Sequence, residues 1–230
     1  MKLRQALCAC FVGYIILALA ACSANTATPP HGSVQPKPTL TTIPQGTILY
    51  QADWSRGMSD WHASQGWTVV QGQLQGASLS DASIMLPYHP TVANYAIEVR
   101  VQIVRVLQNI SNSFYIFANK MPGKDGYKAG VITLTQRTPQ LPPPGFAQIA
   151  VNSIAVSAIP GQQFQQVDYV PGSSWHTYRV EVQGNQAVLL IDGSQVSSST
   201  STEEAISNGP IGLSTTGLEL RVSSLSVVAL

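Results

Sequence analysis

Trp175 to Val196, WHTYRVEVQGNQAVLLIDGSQV, constrains this chain more than any other stretch. Tyr178, Val180 and Val182 alternate with Arg179, Glu181 and Gln183. Such a repeat of two marks a strand with one dry and one wet face, because successive side chains leave opposite sides of a pleated backbone. Gly184-Asn185 and Asp192-Gly193 follow as turn pairs, residue types that tolerate the positive φ of a two-residue hairpin. Only a short strand, Gln186 to Ile191, fits between them. The stretch predicts an antiparallel meander and hence an all-β domain.

The N-terminus carries an address. Lys2 and Arg4 precede an apolar run, Ala6 to Ala21, that is too short and wrongly flanked for a spanning helix. It ends in Leu19-Ala20-Ala21-Cys22, which resembles the lipobox of bacterial lipoproteins. That resemblance implies cleavage before Cys22, lipidation of its sulfur and new amino group, and anchoring to the bacterial cell membrane or cell surface on the extracytoplasmic side. Several acyl chains hold where a single one is marginal. The plainer reading is an ordinary signal peptide cut at Ala-x-Ala, with Cys22 incidental. The three cysteines are Cys8, Cys10 and Cys22, so the domain beyond the anchor has none. Thiol catalysis, Cys-ligated zinc and disulfides are thereby excluded for it, and its core alone must stabilise it.

Ser23 to Gln45 carries five prolines among Thr and Ser, with Lys37 as its only charge. It reads as a disordered, partly extended tether whose reach is up to about 70 Å if fully extended. The chain thus divides into a signal peptide over 1–21, a lipid-anchored Pro/Thr/Ser-rich linker over 22–45, and one domain over 46–230. Twelve basic against eleven acidic side chains, without basic clusters, argue against nucleic acid as a partner.

Within the domain the strand signals are short and numerous. Asn94 to Val106 is the longest: Tyr95, Ile97, Val99, Val101 and Ile103 face one way, Ala96, Glu98, Arg100 and Gln102 the other. Ser113 to Asn119 is apolar on both faces and predicts a central strand. Tyr127 to Gln136 and Phe146 to Ile159 read as strands separated by an exposed loop at Leu141-Pro142-Pro143-Pro144-Gly145. Met121 to Gly126 reads as a turn, and Glu203 to Ile206 as a single helical turn. In Leu218 to Val228 the period slips at Ser223-Ser224, which predicts a bulge. About a dozen short strands without a long helix predict a two-sheet antiparallel sandwich of jelly-roll type.

Leu49-x-x-Ala52-Asp53-Trp54-Ser55 with Gly57, Trp61 and Gly66-Trp67 resembles the start of concanavalin A-like lectin/glucanase domains. Trp175 to Val182, Ile191-Asp192-Gly193, Gly209 to Leu213 and Leu220-Arg221-Val222 resemble their ending. The order of elements is similar to laminin-G-like domains and to the 3-keto-disaccharide hydrolase domain family. This resemblance covers about residues 48 to 228 and implies a concanavalin A-like jelly roll, a scaffold that hosts lectins, hydrolases and structural modules alike.

The chemistry of a glycosidase needs two carboxylates flanking the scissile bond. The tight Glu-x-Asp-x-x-Glu cluster of the resembling glucanases is absent. Glu98 with Arg100, and Glu181 with Arg179, read as charge pairs on a wet face. There is no Gly-x-Ser-x-Gly, and His31, His62, His89 and His176 show no metal-ligand spacing. No cofactor is implied beyond calcium: the resemblance places a calcium-ligating Asp where Asp53 stands, and the alternative is that Asp53 caps the turn after it. Trp54, Trp61, Trp67 and Trp175 sit beside glycines and strand starts, where core packing is the default. Tyr115, Phe117 and Asn119 share the second face of a central strand, and with Tyr127 and Arg100 they are the expected ligand groove if that face is open.

The leading expectation is a non-catalytic binding module recognising glycan or another envelope component. Behind it stand a protein-binding adhesion module and an enzyme acting on an oxidised sugar, with a pocket at Glu98, Arg100, His176 or Glu181.

Overall fold

The computed structural model describes residues 43–109, 111–134, 145–151, 166–203 and 205–230. Two units divide the chain, Met1–Thr41 and Thr42–Leu230, and all described residues belong to the second. The expected signal peptide, Cys22 and nearly all of the linker lie outside the described residues, as do 135–144 and 152–165.

Seventeen strands follow one another among the described residues. They are β1 (Ile48–Gln51), β2 (His62–Ala63), β3 (Trp67–Val70), β4 (Gln73–Ser78), β5 (Ala82–Met85) and β6 (Tyr95–Val106). Next come β7 (Ser113–Ala118), β8 (Lys124–Asp125), β9 (Tyr127–Ile132), β10 (Phe146–Val151) and β11 (Val167–Asp168). The meander β12 (Trp175–Gln183), β13 (Gln186–Ile191) and β14 (Ser194–Thr200) leads to β15 (Ala205–Ile206), β16 (Ile211–Thr216) and β17 (Leu218–Ala229). The first sheet has the order β14-β13-β12-β6-β17-β4-β3, with β1 also on β17; the second has the order β11-β10-β9-β7-β16-β5-β2. Every pairing within these two sheets is antiparallel. The architecture is the expected all-β jelly-roll sandwich.

The opening stretch folds as its pattern dictates. Tyr178, Val180 and Val182 are buried, while Arg179, Glu181 and Gln183 face water. Gln183 pairs with Gln186, and Ile191 with Ser194, so each turn has two residues. Asp192 and Gly193 take φ of 51° and 80°, the mirror-image turn that matches strand twist. In β6 the five expected residues from Tyr95 to Ile103 enter the core. The register of β17 against β6 shifts between Val222 and Ser224, where the bulge was expected.

Burial of aliphatic and aromatic side chains from both sheets is the main stabilising term. At one margin the sheets are joined by serine side chains. Ile149 N–H donates to Ser197 Oγ and Val151 N–H to Ser199 Oγ, both at 3.2 Å, so β14 satisfies amides of β10 beyond the two residues where β11 pairs.

Two local expectations are corrected. No helical turn forms at Glu203 to Ile206; Ala205–Ile206 pairs parallel to Lys124–Asp125, inside the segment expected to be only a turn. The cause is the buried Asp125 carboxylate, which accepts from Ser201 Oγ at 2.7 Å and Lys120 Nζ at 3.3 Å, while its backbone oxygen takes Ser207 N–H at 2.8 Å. These bonds tie Ser201 and Ser207 to Asp125, on either side of the Ala205–Ile206 strand. The strand from Tyr127 ends at Ile132, earlier than Gln136.

Candidate functional site

The expected groove is not assembled. Tyr115 and Phe117 do share the outer face of the second sheet, but each is only 8% exposed. Gln148 Nε2 donates to the Tyr115 hydroxyl at 3.3 Å, Gln166 Nε2 donates to Gln148 Oε1 at 2.6 Å, and Lys128 Nζ stands 5.9 Å from the Tyr115 ring centre. Burial pushes the Tyr115 phenol up to about 12, against the lowering effect of Gln148. Phe117 lies over Gly212, where a Cβ would collide with the Phe117 ring and the Met85 sulfur. Asn119 is exposed just beyond β7, its N–H bonded to Pro210 O at 3.1 Å.

Tyr127 and Arg100 do not join this face. Tyr127 pairs with Ala118, on the core side of β7, and is fully buried, its hydroxyl next to that of Tyr95. Arg100 belongs to the outer face of the first sheet, where its guanidinium stacks on Trp175 at 5.3 Å rather than pairing with Glu98. Period-two reasoning groups residues within one strand, but it does not say which strands share a sheet.

The strand-borne carboxylates likewise have ordinary partners. Arg179 donates to Glu181 at 2.8 Å and to Glu98, directly opposite on β6, at 3.3 Å. His176 stands apart from this network, with Nδ1 2.7 Å from Asp192 Oδ2 and Nε2 2.8 Å from Pro171 O. Asp53 caps a 3₁₀ turn, Trp54–Arg56: its Oδ1 accepts Ser55 N–H at 3.0 Å and Ser55 Oγ at 2.6 Å. Those bonds hold its carboxyl below the usual carboxylate range. Calcium takes six to eight oxygens. Around Asp53 one carboxylate oxygen is committed to Ser55, and no group of three or more His, Cys, Asp or Glu side chains suited to a metal occurs among the described residues.

An open cleft of about 360 Å³ lies beside that turn, lined by Tyr50, Gln51, Asp53, Arg56, Gly57, Ser59, Asp60, Trp61 and Pro87. Its walls follow from local chemistry. After the capped turn, Gly57 takes φ of 82° and returns its N–H to Trp54 O at 3.1 Å; Trp61 N–H then bonds Met58 O at 3.0 Å. The pairing of His62 with Met85 brings Trp61 and Pro87 to the same cleft. Tyr50, which lines the cleft, stacks on Tyr88 with centroids 5.2 Å apart and planes 10° apart. Trp61 stands 6.4 Å from Tyr50 at 60°, backed by Trp54 at 6.2 Å. Burial, and secondarily the Asp60 charge, raise the Tyr50 phenol above its ordinary value.

Of this set, sequence reasoning singled out Asp53, Gly57 and Trp61, and for Trp61 it took core packing as the default. Trp54 and Trp67 are indeed buried, whereas Trp61 and Trp175 are only partly so. The run Asp53 to Trp61, with aromatics at both ends of a polar turn, was the available signal. Tyr88 gave none, because only the β2–β5 pairing brings it near.

A family model described as a 3-keto-alpha-glucoside-1,2-lyase-like domain matches residues 50–227. The chain belongs to this family. Solved structures share the fold of this lyase-like domain at low identity. A carbohydrate binding module, CBM66, from Bacillus subtilis superimposes with a TM-score of 0.56 and 14% identity over 75% of this chain and 97% of its own. A laminarinase from Flavobacterium sp. UMI-01 gives 0.55 and 9%, over 80% and 100%. A structure from work on endo-acting O-glycanases of the human gut microbiota gives 0.58 and 12%, again over 80% and 100%. Among curated proteins none matches this lyase-like chain in sequence.

Proposed function

We propose that this domain is a non-catalytic carbohydrate-binding module, held outside the cytoplasm by a lipid on Cys22. The observation that carries it is the cleft of Tyr50 and Trp61 rimmed by Gln51, Asp53, Arg56, Ser59 and Asp60. Sugars present apolar C–H faces and a belt of hydroxyls, so aromatic rings beside amide, carboxylate and guanidinium groups match both halves of that surface. Its volume is at the small end of ligand pockets, the size of a short glycan segment. The apolar run and Leu19-Ala20-Ala21-Cys22 support the anchor.

The test is a broad glycan panel probed with the full chain in mild detergent. Trp61→Ala is expected to weaken the strongest hit by at least about tenfold while the domain still melts cooperatively, since truncating an aromatic anchor commonly removes that much affinity. Absence of binding to every glycan would overturn this function and leave the protein-binding alternative.

Family membership favours one second reading, cleavage of a 3-keto-α-glucoside. Incubation with such a substrate decides it: turnover would replace binding as the function.

A further inference from the structure

The same cleft carries a sharper statement about its ligand, one that rests on reading it as a glycan site. Tyr50 and Trp61 meet at 60° with centroids 6.4 Å apart, so the rings form a corner rather than one flat platform. A flat platform suits the face of a neutral sugar. Two tilted rings lining one cleft also suit a cation, which is drawn to the negative face of an aromatic ring from within about 6 Å.

The charges point the same way. Asp53 and Asp60 line the cleft against one cation, Arg56. Arg56 is the positive charge that acts on Asp53, and Asp53 is further committed to Ser55. Asp60 forms no ion pair among the described residues, and its described hydrogen bond is a long one from Ser59 Oγ at 3.4 Å. Its negative charge is also felt at the Tyr50 hydroxyl. The cleft therefore holds one unbalanced carboxylate beside two tilted aromatic rings, and a hydroxyl-only sugar exploits the charge less well than an ammonium group does.

We propose that the cleft recognises an amino sugar in its ammonium form, seated in the Tyr50–Trp61 corner and held by the Asp60 carboxylate. N-acetylation removes both the charge and the cation–π contact, as it does for lysine. The site thus distinguishes de-N-acetylated from acetylated glycan.

Three disaccharides with the same β-1,4 linkage test this by calorimetry on the full chain at pH 6: glucosamine disaccharide, its di-N-acetyl counterpart and cellobiose. The glucosamine form is expected to bind about tenfold more tightly than either other sugar, and raising salt is expected to narrow the gap. Asp60→Asn is expected to abolish the preference for the glucosamine form over cellobiose. Asp60 is exposed, so the substitution spares the core, and the salt series needs no variant at all. Equal affinities, or a preference for the acetylated or neutral sugar, overturn this proposal and leave the glycan reading standing. Failure of all three to bind overturns it too, and the wider panel then decides the glycan reading separately.

Discussion

Tyr95 shows what one side chain contributes here. Its ring is wholly buried and its hydroxyl donates to the Ser207 carbonyl at 2.6 Å. Burial drives the phenol above its ordinary value, so it is an uncharged donor at all physiological pH. Tyr95→Phe keeps the packing but leaves the Ser207 oxygen unpaired in the interior. The expected cost is about 1–3 kcal/mol, the price of an orphaned buried acceptor, read as a lower urea midpoint at unchanged slope. The tyrosines also mark the limits of residue-level reading. Tyr127 could have been assigned to the core, because Ala129 and Val131 share its face while Lys128 and Gly130 take the other. Tyr115 could not: both faces of β7 are apolar, and its coverage by Gln148 and Lys128 depends on neighbouring strands.

At the scale of elements, β10 depends on a strand of the opposite sheet. Ser199 of β14 accepts the Val151 amide, which the short β11 does not reach. Ser199→Ala is expected to lose about 1–3 kcal/mol through that unpaired buried N–H. Ser198→Ala, one residue along and on the outer face, is expected to stay within about 0.5 kcal/mol of the parent. Comparable losses for both variants in urea titrations would show that the serine zipper contributes no more than an ordinary surface contact. The alternation of Ser197, Ser198 and Ser199 carried too little hydrophobic contrast to reveal this joint.

For the whole molecule, one pH-dependent contact lies where the meander meets its neighbouring loop. The Asp192 carboxylate holds Thr177 N–H at 2.8 Å and His176 Nδ1 at 2.7 Å, and the same ring reaches Pro171 O. Partial burial opposes ionisation, but the bonds from His176 and Thr177 outweigh it, and the carboxyl sits below its usual value. A group whose folded pKa is depressed stabilises above its unfolded value, near 3.8 here, and the contribution fades as pH falls through the folded value. Stability is therefore expected to drop on the acid side below about pH 4, and Asp192→Asn to lower the melting temperature near neutral pH more than in acid, which flattens that limb of the profile. An unchanged acid limb would assign the loss to other carboxylates. Turn pairs, the alternation of β6 and the slip at Ser223-Ser224 were all decided by the sequence itself, because pleat and backbone φ are set within a few residues. The cleft was decided only by the tertiary structure. Tyr50, Trp61 and Tyr88 converge because β1 joins one sheet while β2 and β5 pair in the other, and sheet closure, not local preference, chooses such partners.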